Sequence, residues 1–445
     1  MPLFSMRNSH PMAFKLKNIL PFFYGWVVVV ASGTAMFARM APNITTLTIF
    51  IHPLSQEFGW SRTLISGSVS AGALAALVLS PAVGWCIDRF GARPVLVISV
   101  LILGMTMTSM AWATLPLTFY VAFASARVVF HTSAPIGAST VSARWFIAKR
   151  GRAIGVIFLW GAIGGLVFTV LSAEMIGHFG MKTAWITIGL VVFGVSLAPC
   201  LFLVVERPED MGMLPDTATP AKYYENRRRD SAKAVESGDE DSWTLSEAMN
   251  SKAFWILFFM GMAMFCVNTG TNVHIGAYYR DQGMTMTLAA IAISFSWIVS
   301  AIGSLVWGWV LEKMQARWAY SIVFVILGVS TLYLLAVDST AGAFVASGLI
   351  GCVSGGSNVV ISILYADYYG RNSLGRIRGV SETGVLIGLA VGPLLAGILF
   401  DTRGSYSFVF ILFGGLALAC SLSVLTAKPP ARPVRIAAGH QSLTL

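Results

Sequence analysis

Two arginines interrupt long apolar runs of this 445-residue chain and are its first candidates for chemistry. Arg39 lies near the middle of the run 24–50, and Arg127 lies near the middle of the run 116–142. An arginine inside a bilayer is costly, so we expect each one to line water, pair with an acid or bind an anion. Neither run contains an acid, which favours an anionic substrate. A structural hydrogen bond to backbone carbonyls is the alternative role.

His131 follows Arg127 by four residues, so the two side chains share one face of a helix. The neighbouring guanidinium favours the neutral imidazole, which can form a hydrogen bond or take up a proton when an anion arrives. We therefore predict that His131 contacts the substrate and couples its transport to protons. A packed, hydrogen-bonded histidine is the alternative interpretation.

Polar side chains also occur in two later apolar runs. Asn268, Asn272 and His274 lie in CVNTGTNVHIGAYY, and Asn358 lies in GCVSGGSNVV. Amide and imidazole groups can hold a hydroxyl or carbonyl group while arginines hold a carboxylate. We predict that all four contact the substrate, although close helix packing alone explains the glycines around Asn358.

A charged stretch occurs twice in the chain. Residues 84–93 read GWCIDRFGAR and residues 308–317 read GWVLEKMQAR, so the copies are 224 positions apart. The same offset relates Arg152 to Arg376 and Gly155 to Gly379. Both matches are explained by a duplicated six-helix unit, and parallel repeats of this kind form the two halves of rocking transporters.

The composition indicates which elements carry these residues. Hydrophobic residues make up 56% of the chain and charged residues only 11%, against about 25% charged in an average soluble protein. Apolar runs long enough to cross about 30 Å of hydrocarbon as helices occur at 24–50, 62–87, 94–114, 116–142, 153–176, 183–205, 253–279, 286–311, 318–337, 341–366, 379–400 and 406–426. These twelve runs are too long and too continuously apolar for barrel strands, so we predict an all-α membrane protein.

The net charge of +10 reflects membrane topology rather than a nucleic-acid partner. If alternate loops lie inside and outside, 24 of the 30 lysines and arginines fall on the cytoplasmic side, as the positive-inside rule predicts. The exceptions are Arg62, Lys182, Arg280 and Arg403 outside, and Arg39 and Arg127 within the membrane. Both termini are therefore predicted to be cytoplasmic.

The predicted organisation has two halves joined by a polar linker. It consists of a cytoplasmic N-terminal segment 1–21, a six-helix bundle 22–205, a cytoplasmic linker 206–251, a second six-helix bundle 252–427 and a cytoplasmic tail 428–445. The linker carries most of the acidic residues of the chain, which indicates a solvated segment.

The repeated stretch also carries a family resemblance. GWCIDRFGAR fits the pattern GxxxDRxGxR of the major facilitator superfamily, with Asp88, Arg89 and Arg93 in place. Further stretches resemble the bacterial monocarboxylate transporter branch, which includes the oxalate:formate antiporters. They are FYGWVVV at 23–29, PLSQEFGWSR at 53–62, RPEDMGMLPD at 207–216 and GPLLAGILFDTRGSY at 392–406. The resemblance covers nearly the whole chain.

The resemblance implies the major facilitator fold, with twelve transmembrane helices in two pseudo-symmetric six-helix bundles and a cavity lined by helices one, four, seven and ten. It implies that Asp88 faces the start of helix eleven, where the helix dipole stabilises a carboxylate by about 0.3 to 2 kcal/mol. Glu312 would face the start of helix five in the same way. We predict that the charges near these contacts gate the cytoplasmic side: Asp88, Arg89, Arg93, Arg152, Glu312, Lys313, Arg317 and Arg378. A purely topological role is the alternative.

Three positions depart from the family pattern. Monocarboxylate carriers commonly place an acid and an arginine in helix eight, but the run 286–311 has no charge before Glu312. The glycine often found five residues after the fourth-helix arginine is Thr132 here, and a first-helix lysine of the family falls near Asn43. The anion-binding charge is therefore expected in the first half. Glu382 follows Arg378 by four residues, and we interpret it as an acid favoured in the first turn of helix eleven, with a functional role as the alternative.

We predict a secondary active transporter that moves a small organic anion, a monocarboxylate, across the bacterial inner membrane by alternating access, in symport with protons. Its expected partners are the anion, protons and the lipid bilayer, and it is expected to act as a monomer without cofactor or metal. Proton-driven efflux of amphipathic or anionic compounds, or anion exchange, is the alternative. The chain lacks a nucleophile elbow, a phosphate loop and an HExxH motif, which argues against an enzyme.

Overall fold

The computed structural model of the protein describes residues 11–216, 243–370 and 373–430. Predictions that concern residues 1–10, 217–242 and 431–445 lie outside these residues, and they include most of the linker and of the tail. The described residues are almost entirely helical, as predicted. The domain boundaries stay predictions.

The first half contains nine α-helices within residues 11–216, and in several places two of them are parts of one predicted span. They are α1 (Pro11–Ile19), α2 (Gly25–Ala38), α3 (Ile44–Phe58), α4 (Arg62–Phe90), α5 (Ala92–Ser109), α6 (Pro116–His131), α7 (Ser133–Trp145), α8 (Arg150–Val192) and α9 (Ala198–Phe202).

The second half contains seven α-helices in the part that the structure describes. They are α10 (Leu245–Met249), α11 (Lys252–Asp281), α12 (Met286–Val310), α13 (Ala316–Tyr333), α14 (Thr340–Tyr369), α15 (Leu374–Arg403) and α16 (Ser407–Leu425). Ser251, Thr285 and Ser339 cap α11, α12 and α14, because each hydroxyl accepts a hydrogen bond from the backbone N–H three residues later.

Nine helical segments of the described chain are long and apolar enough to cross a membrane. One of them, Arg150–Phe202, is 53 residues long and contains two of the predicted runs. It turns at Gly180, whose φ of 81° lies in the region that favours glycine. The two predicted runs that are absent from the nine are 24–50 and 116–142.

Both of these runs are broken in their interior. The first becomes α2 and α3, separated by residues 39–43, and the second becomes α6 and α7, which meet at Thr132. Pro42 and Pro135 explain the breaks, because proline lacks the N–H of a helical hydrogen bond and its ring collides with the carbonyl four residues earlier. Those carbonyls belong to Ala38 and His131, the last residues of α2 and α6.

Each half has its own hydrophobic core, and Ala143 and Ile154 of the first half pack into the core of the second. The halves meet mainly where α4 packs against α15 and where α8 packs against α12. Small residues allow both approaches: a Cβ added at Gly84 would overlap the carbonyl of Gly375, and one added at Gly151 would overlap the carbonyl of Gly308. The halves are therefore two bundles in direct backbone contact along two helix pairs.

Candidate substrate site

A cavity of about 250 Å³ lies between the two halves. This volume corresponds to about eight water molecules at about 30 Å³ each, so it suits a small molecule. Aromatic rings line part of it, from Phe130 and Phe158 of the first half and from Phe265 and Trp297 of the second. Its polar lining consists of Arg39, Asn43, His131, Asn268, Thr269, Ser300, Ser304, Ser354, Ser357, Asn358, Arg378 and Glu382.

The broken helices place Arg39 in this cavity. Arg39 directly follows α2, and its NH1 donates a hydrogen bond of 2.8 Å to the carbonyl of Phe130. Phe130 is in the last turn of α6, where carbonyls lack helical donors, so the break at Thr132 provides the acceptor. Arg39 thus forms one of the structural hydrogen bonds to backbone carbonyls that were given as its alternative role. Its Nε has no hydrogen-bond partner among the described residues.

Arg127 lies behind the cavity wall rather than in it. The guanidinium carbons of Arg39 and Arg127 lie 4.8 and 4.6 Å from the centroid of the Phe130 ring. Arg127 is only 3% exposed and packs against α4, where a Cβ added at Gly72 would overlap its side chain. Its positive charge therefore acts on the cavity through Phe130 and His131, and direct contact with a substrate stays a prediction.

His131 lines the cavity and contacts Arg127. Its Nε2 lies 2.9 Å from NH2 of Arg127. Since a guanidinium can only donate, Nε2 accepts this hydrogen bond and the imidazole is neutral. The contact with substrate and the coupling to protons stay predictions for this residue.

The second half provides amides to the cavity, as predicted for Asn268 and Asn358. Asn272 lies one turn further along α11 and donates to the carbonyl and to Oδ1 of Asn268, at 2.8 and 2.9 Å. It therefore orients Asn268 and does not line the cavity. His274 is also outside the cavity lining, because it bonds to the hydroxyl of Tyr406 and is 3.1 Å from a backbone carbonyl of α15.

An ion pair on α15 is the main feature of the site that the sequence interpretation placed wrongly. Arg378 and Glu382 both line the cavity, and their NH2 and Oε2 atoms are 3.6 Å apart. The interpretation of Glu382 as a first-turn acid is wrong, because α15 begins at Leu374 and Glu382 follows two turns later. Arg378 was predicted to gate the cytoplasmic side, but it lies in the cavity. Opposite charges four residues apart within an apolar helix were the available signal.

The repeated stretches do meet the opposite half. Asp88 accepts hydrogen bonds from the N–H groups of Gly375 and Arg376, at 2.9 and 2.7 Å, in the first turn of α15. Glu312 binds Arg152, with Oε2 at 2.8 Å from Nε and 2.7 Å from NH2. These are the positions that the family resemblance implied, while a gating role stays a prediction.

The other predicted gating residues pack near these contacts. Arg89 lies 5.5 Å from the Trp85 ring, and Lys313 lies 4.0 Å from the Trp309 ring. Arg93 donates to the carbonyl of Leu201 at 2.6 Å. Arg317 donates to Oε1 of Gln315 at 3.1 Å.

Two further ion pairs were missed at this end of the molecule. Arg150 of α8 binds Asp367 of α14 at 2.5 Å and so joins the halves. Arg144 of α7 pairs with Glu206 and lies 3.7 Å from Asp88. The partners lie on different elements that are far apart along the chain, so local spacing did not reveal them.

The comparison with protein families identifies the fold. Residues 26–313 and 257–444 match the model of the Major Facilitator Superfamily. The chain therefore belongs to this superfamily, and it is a transporter rather than an enzyme.

Relatives and solved structures support this assignment over most of the chain. The protein is 23% identical to the gallate transporter of Pseudomonas putida, over 84% of this chain and 86% of that one. It is 20% identical to monocarboxylate transporter 2 of Rattus norvegicus, over 90% of this chain and 82% of that one. The structure of the proton:xylose symporter XylE bound to 6-bromo-6-deoxy-D-glucose matches with a TM-score of 0.67 and 12% identity, covering 91% of this chain and 95% of that one. The two-bundle fold and the resemblance to organic anion transporters are thereby confirmed.

Proposed function

We propose that this protein carries a small monocarboxylate across the bacterial inner membrane by alternating access, as a monomer and in symport with a proton. The observation that supports a negatively charged cargo is the cavity between the halves, which is lined by Arg39 of the first half and Arg378 of the second. Arg127 adds a positive charge behind Phe130, so the cations outnumber the single acid of the described lining, Glu382. Carboxylates bind arginine through charge-assisted hydrogen bonds, which are the strong ones.

The rest of the lining supports an organic cargo with an apolar body. Phe130, Phe158, Phe265 and Trp297 provide apolar surface, and the amides of Asn268 and Asn358 can bind a hydroxyl or carbonyl group. The gallate transporter relative, by its name, moves an aromatic carboxylate. Substituted benzoates therefore stand beside pyruvate and lactate as candidate cargoes.

A proton would neutralise the cargo. Bringing one negative charge into a negative cytoplasm costs about 2.3 kcal/mol per 100 mV, and symport removes this term. In the proposed topology both termini are cytoplasmic, and the Asp88 and Glu312 contacts would then hold the cytoplasmic side closed. Release of the cargo would require both contacts to open.

Uptake by proteoliposomes tests the proposal. We expect radiolabelled pyruvate, benzoate or 3,4,5-trihydroxybenzoate to accumulate when the outside is acidic, and to accumulate less without a pH gradient. Arg39→Gln should reduce this uptake at least about tenfold, because one charge-assisted contact is lost. Arg403→Gln, at the exposed end of α15, is the matched control and should transport normally.

The absence of gradient-dependent flux for every carboxylate tested would contradict the proposal. Equal uptake by Arg39→Gln and the wild type would show that the carboxylate does not bind Arg39. The positive charge of Arg39 would then no longer support a negatively charged cargo.

A further inference from the structure

Glu382 is the one acidic side chain that lines the cavity in the described part of the chain. It is only 12% exposed, and its partner within 4 Å is Arg378, one turn earlier on the same helix. A buried ion pair gains little net stability, because the loss of hydration offsets most of the attraction between the charges. The pair therefore needs an explanation other than stability.

The duplicated unit shows that the fold does not require this pair. At the offset of 224 residues, the first half carries Ile154 and Phe158 at the positions of Arg378 and Glu382. Ile154 is buried on α8, and Phe158 lines the same cavity from the opposite side. Uncharged side chains thus occupy the equivalent positions within the same architecture.

The groups around Glu382 attract an incoming anion. The charged and titratable groups that face it are Arg378 on its own helix, Arg39 after α2 and Tyr365 on α14. The residues that α11 adds to the cavity are uncharged. Asp88 of α4 and its neighbours lie at the first turn of α15, two turns from Glu382. A carboxylate that enters the cavity therefore meets two arginines, and Glu382 already occupies one of them.

Resting on the proposed function, we propose that Glu382 is the proton acceptor of the symport, and that the substrate carboxylate replaces it as the partner of Arg378. The ion pair between Glu382 and Arg378 breaks, and a new one forms between the substrate and Arg378. The freed carboxylate of Glu382 takes one proton from the outside solution and becomes a carboxylic acid. On release, the proton passes to the cytoplasmic solution and the original ion pair forms again.

This step keeps the net charge of the cavity constant. Before binding, two arginines and one carboxylate leave the cavity with one net positive charge. A bound monocarboxylate adds one negative charge, and protonation of Glu382 removes another, so the net charge is unchanged. Transport of one anion with one proton is then electroneutral.

His131 is the rival proton acceptor. Its Nε2 already accepts from Arg127, and protonation would remove that acceptor and place a third cation beside Arg127 and Arg39. Protonation of Glu382 breaks no existing contact, because Glu382 takes up the proton after it has lost its cationic partner Arg378. The two residues therefore differ in a measurable quantity, the protons bound per anion.

Isothermal titration calorimetry of the purified full-length protein measures this number, with benzoate and pyruvate as probes, in buffers of different ionisation enthalpy. We expect the wild type to take up about one proton per anion at pH 7, and Glu382→Gln to take up close to none. Glu174→Gln, at an exposed position on α8, is the matched control and should resemble the wild type. His131→Gln should still take up about one proton for each anion that it binds.

Glu382→Asp controls for the possibility that Glu382→Gln fails to fold. It keeps a carboxyl group at this position, so it should still take up a proton. In proteoliposomes, Glu382→Gln should lose accumulation driven by a proton gradient while still exchanging labelled for unlabelled benzoate.

Anion binding tests the proposed function, and proton uptake tests the role of Glu382. If the wild type binds neither probe, the proposed function and the role of Glu382 both fail. If it binds an anion without taking up a proton, or if Glu382→Gln still takes one up, the role of Glu382 is overturned while anion transport stands.

Discussion

The two contacts that join the halves occupy equivalent places in the duplicated units but differ in chemistry. Between α4 and α15, Asp88 is 4% exposed and binds two backbone N–H groups at 2.9 and 2.7 Å. Between α8 and α12, Glu312 binds mainly the guanidinium of Arg152, which is 49% exposed. The backbone N–H of Arg152 is further away, at 3.4 Å. One contact is therefore a buried helix cap, and the other is a partly exposed ion pair.

The packing beneath these charges is the same in both contacts. Ser80 donates to the carbonyl of Gly379 at 2.8 Å, and Ser304, 224 residues later, donates to the carbonyl of Gly155 at 3.3 Å. The helices thus approach each other in the same way, and only the charged groups have diverged. Since exposed ion pairs contribute about 0 to 1 kcal/mol, we infer that Asp88 holds the halves together more strongly than Glu312.

The largest effect should come from the packing that both contacts share. Gly84→Val places a side chain against the carbonyl of Gly375, and Gly308→Val does the same against Gly151. Overpacking of this kind typically costs about 1 to 3 kcal/mol and occasionally more, which corresponds to about fivefold to more than a hundredfold in rate. We therefore expect each variant to slow uptake at least about fivefold. Distances between spin labels at the ends of the two helix pairs should increase.

Gly415→Val is the control, because an added Cβ there has open space around it. If only one of the two variants were impaired, glycine packing would stabilise only one of the two contacts, which would contradict the prediction.

The charged groups should have unequal effects. Asp88→Asn removes the charge from a buried cap, and hydrogen bonds to charged groups contribute about 1.5 to 3 kcal/mol, so uptake should fall about tenfold or more. Glu312→Gln removes a partly exposed pair worth about 0 to 1 kcal/mol, and uptake should fall less than about fivefold. Initial rates in proteoliposomes, with the amount of inserted protein determined, measure both. Equal losses would contradict the proposed difference between the contacts.

Salt should produce the smallest effect and distinguish the contacts further. Raising the salt concentration from about 0.1 to 1 M shortens the screening length from about 10 to 3 Å. We expect the label distances across α8 and α12 to shift slightly in the wild type and not in Glu312→Gln. Those across α4 and α15 should not respond, and an equal response there would show that Asp88 is as exposed to solvent as Arg152.

Much of the fold could be predicted from local sequence. The apolar runs became helices, because the length of a run and the residues at its ends are local properties. The contact of Asp88 with the start of α15 was implied by the family resemblance. The breaks in the runs 24–50 and 116–142 were not predicted, although each run contains a proline near its break, Pro42 or Pro135. The mean hydropathy of a long run hardly changes when it contains one proline. The backbone, in contrast, loses a helical hydrogen bond at that residue, and the helix breaks.

The candidate site was predicted less completely. Arg39, His131, Asn268 and Asn358 were expected in the cavity and line it. Arg127, Asn272 and His274 were expected there too, but they support it from behind or lie outside it. Glu382 was assigned to a helix start and lines the cavity instead. A period of 3.6 residues places side chains on a helix face, but it does not say which way that face points.

The sequence by itself determined that this chain crosses a membrane many times, that it is built from two related halves, and that arginines lie within its apolar runs. These properties depend on composition, run length and repetition. Only the tertiary structure decided which charges share the cavity, because that depends on the rotation of each helix and on partners hundreds of residues away. Arg39 and Arg378 come from different halves, and packing between the bundles brings them to one cavity.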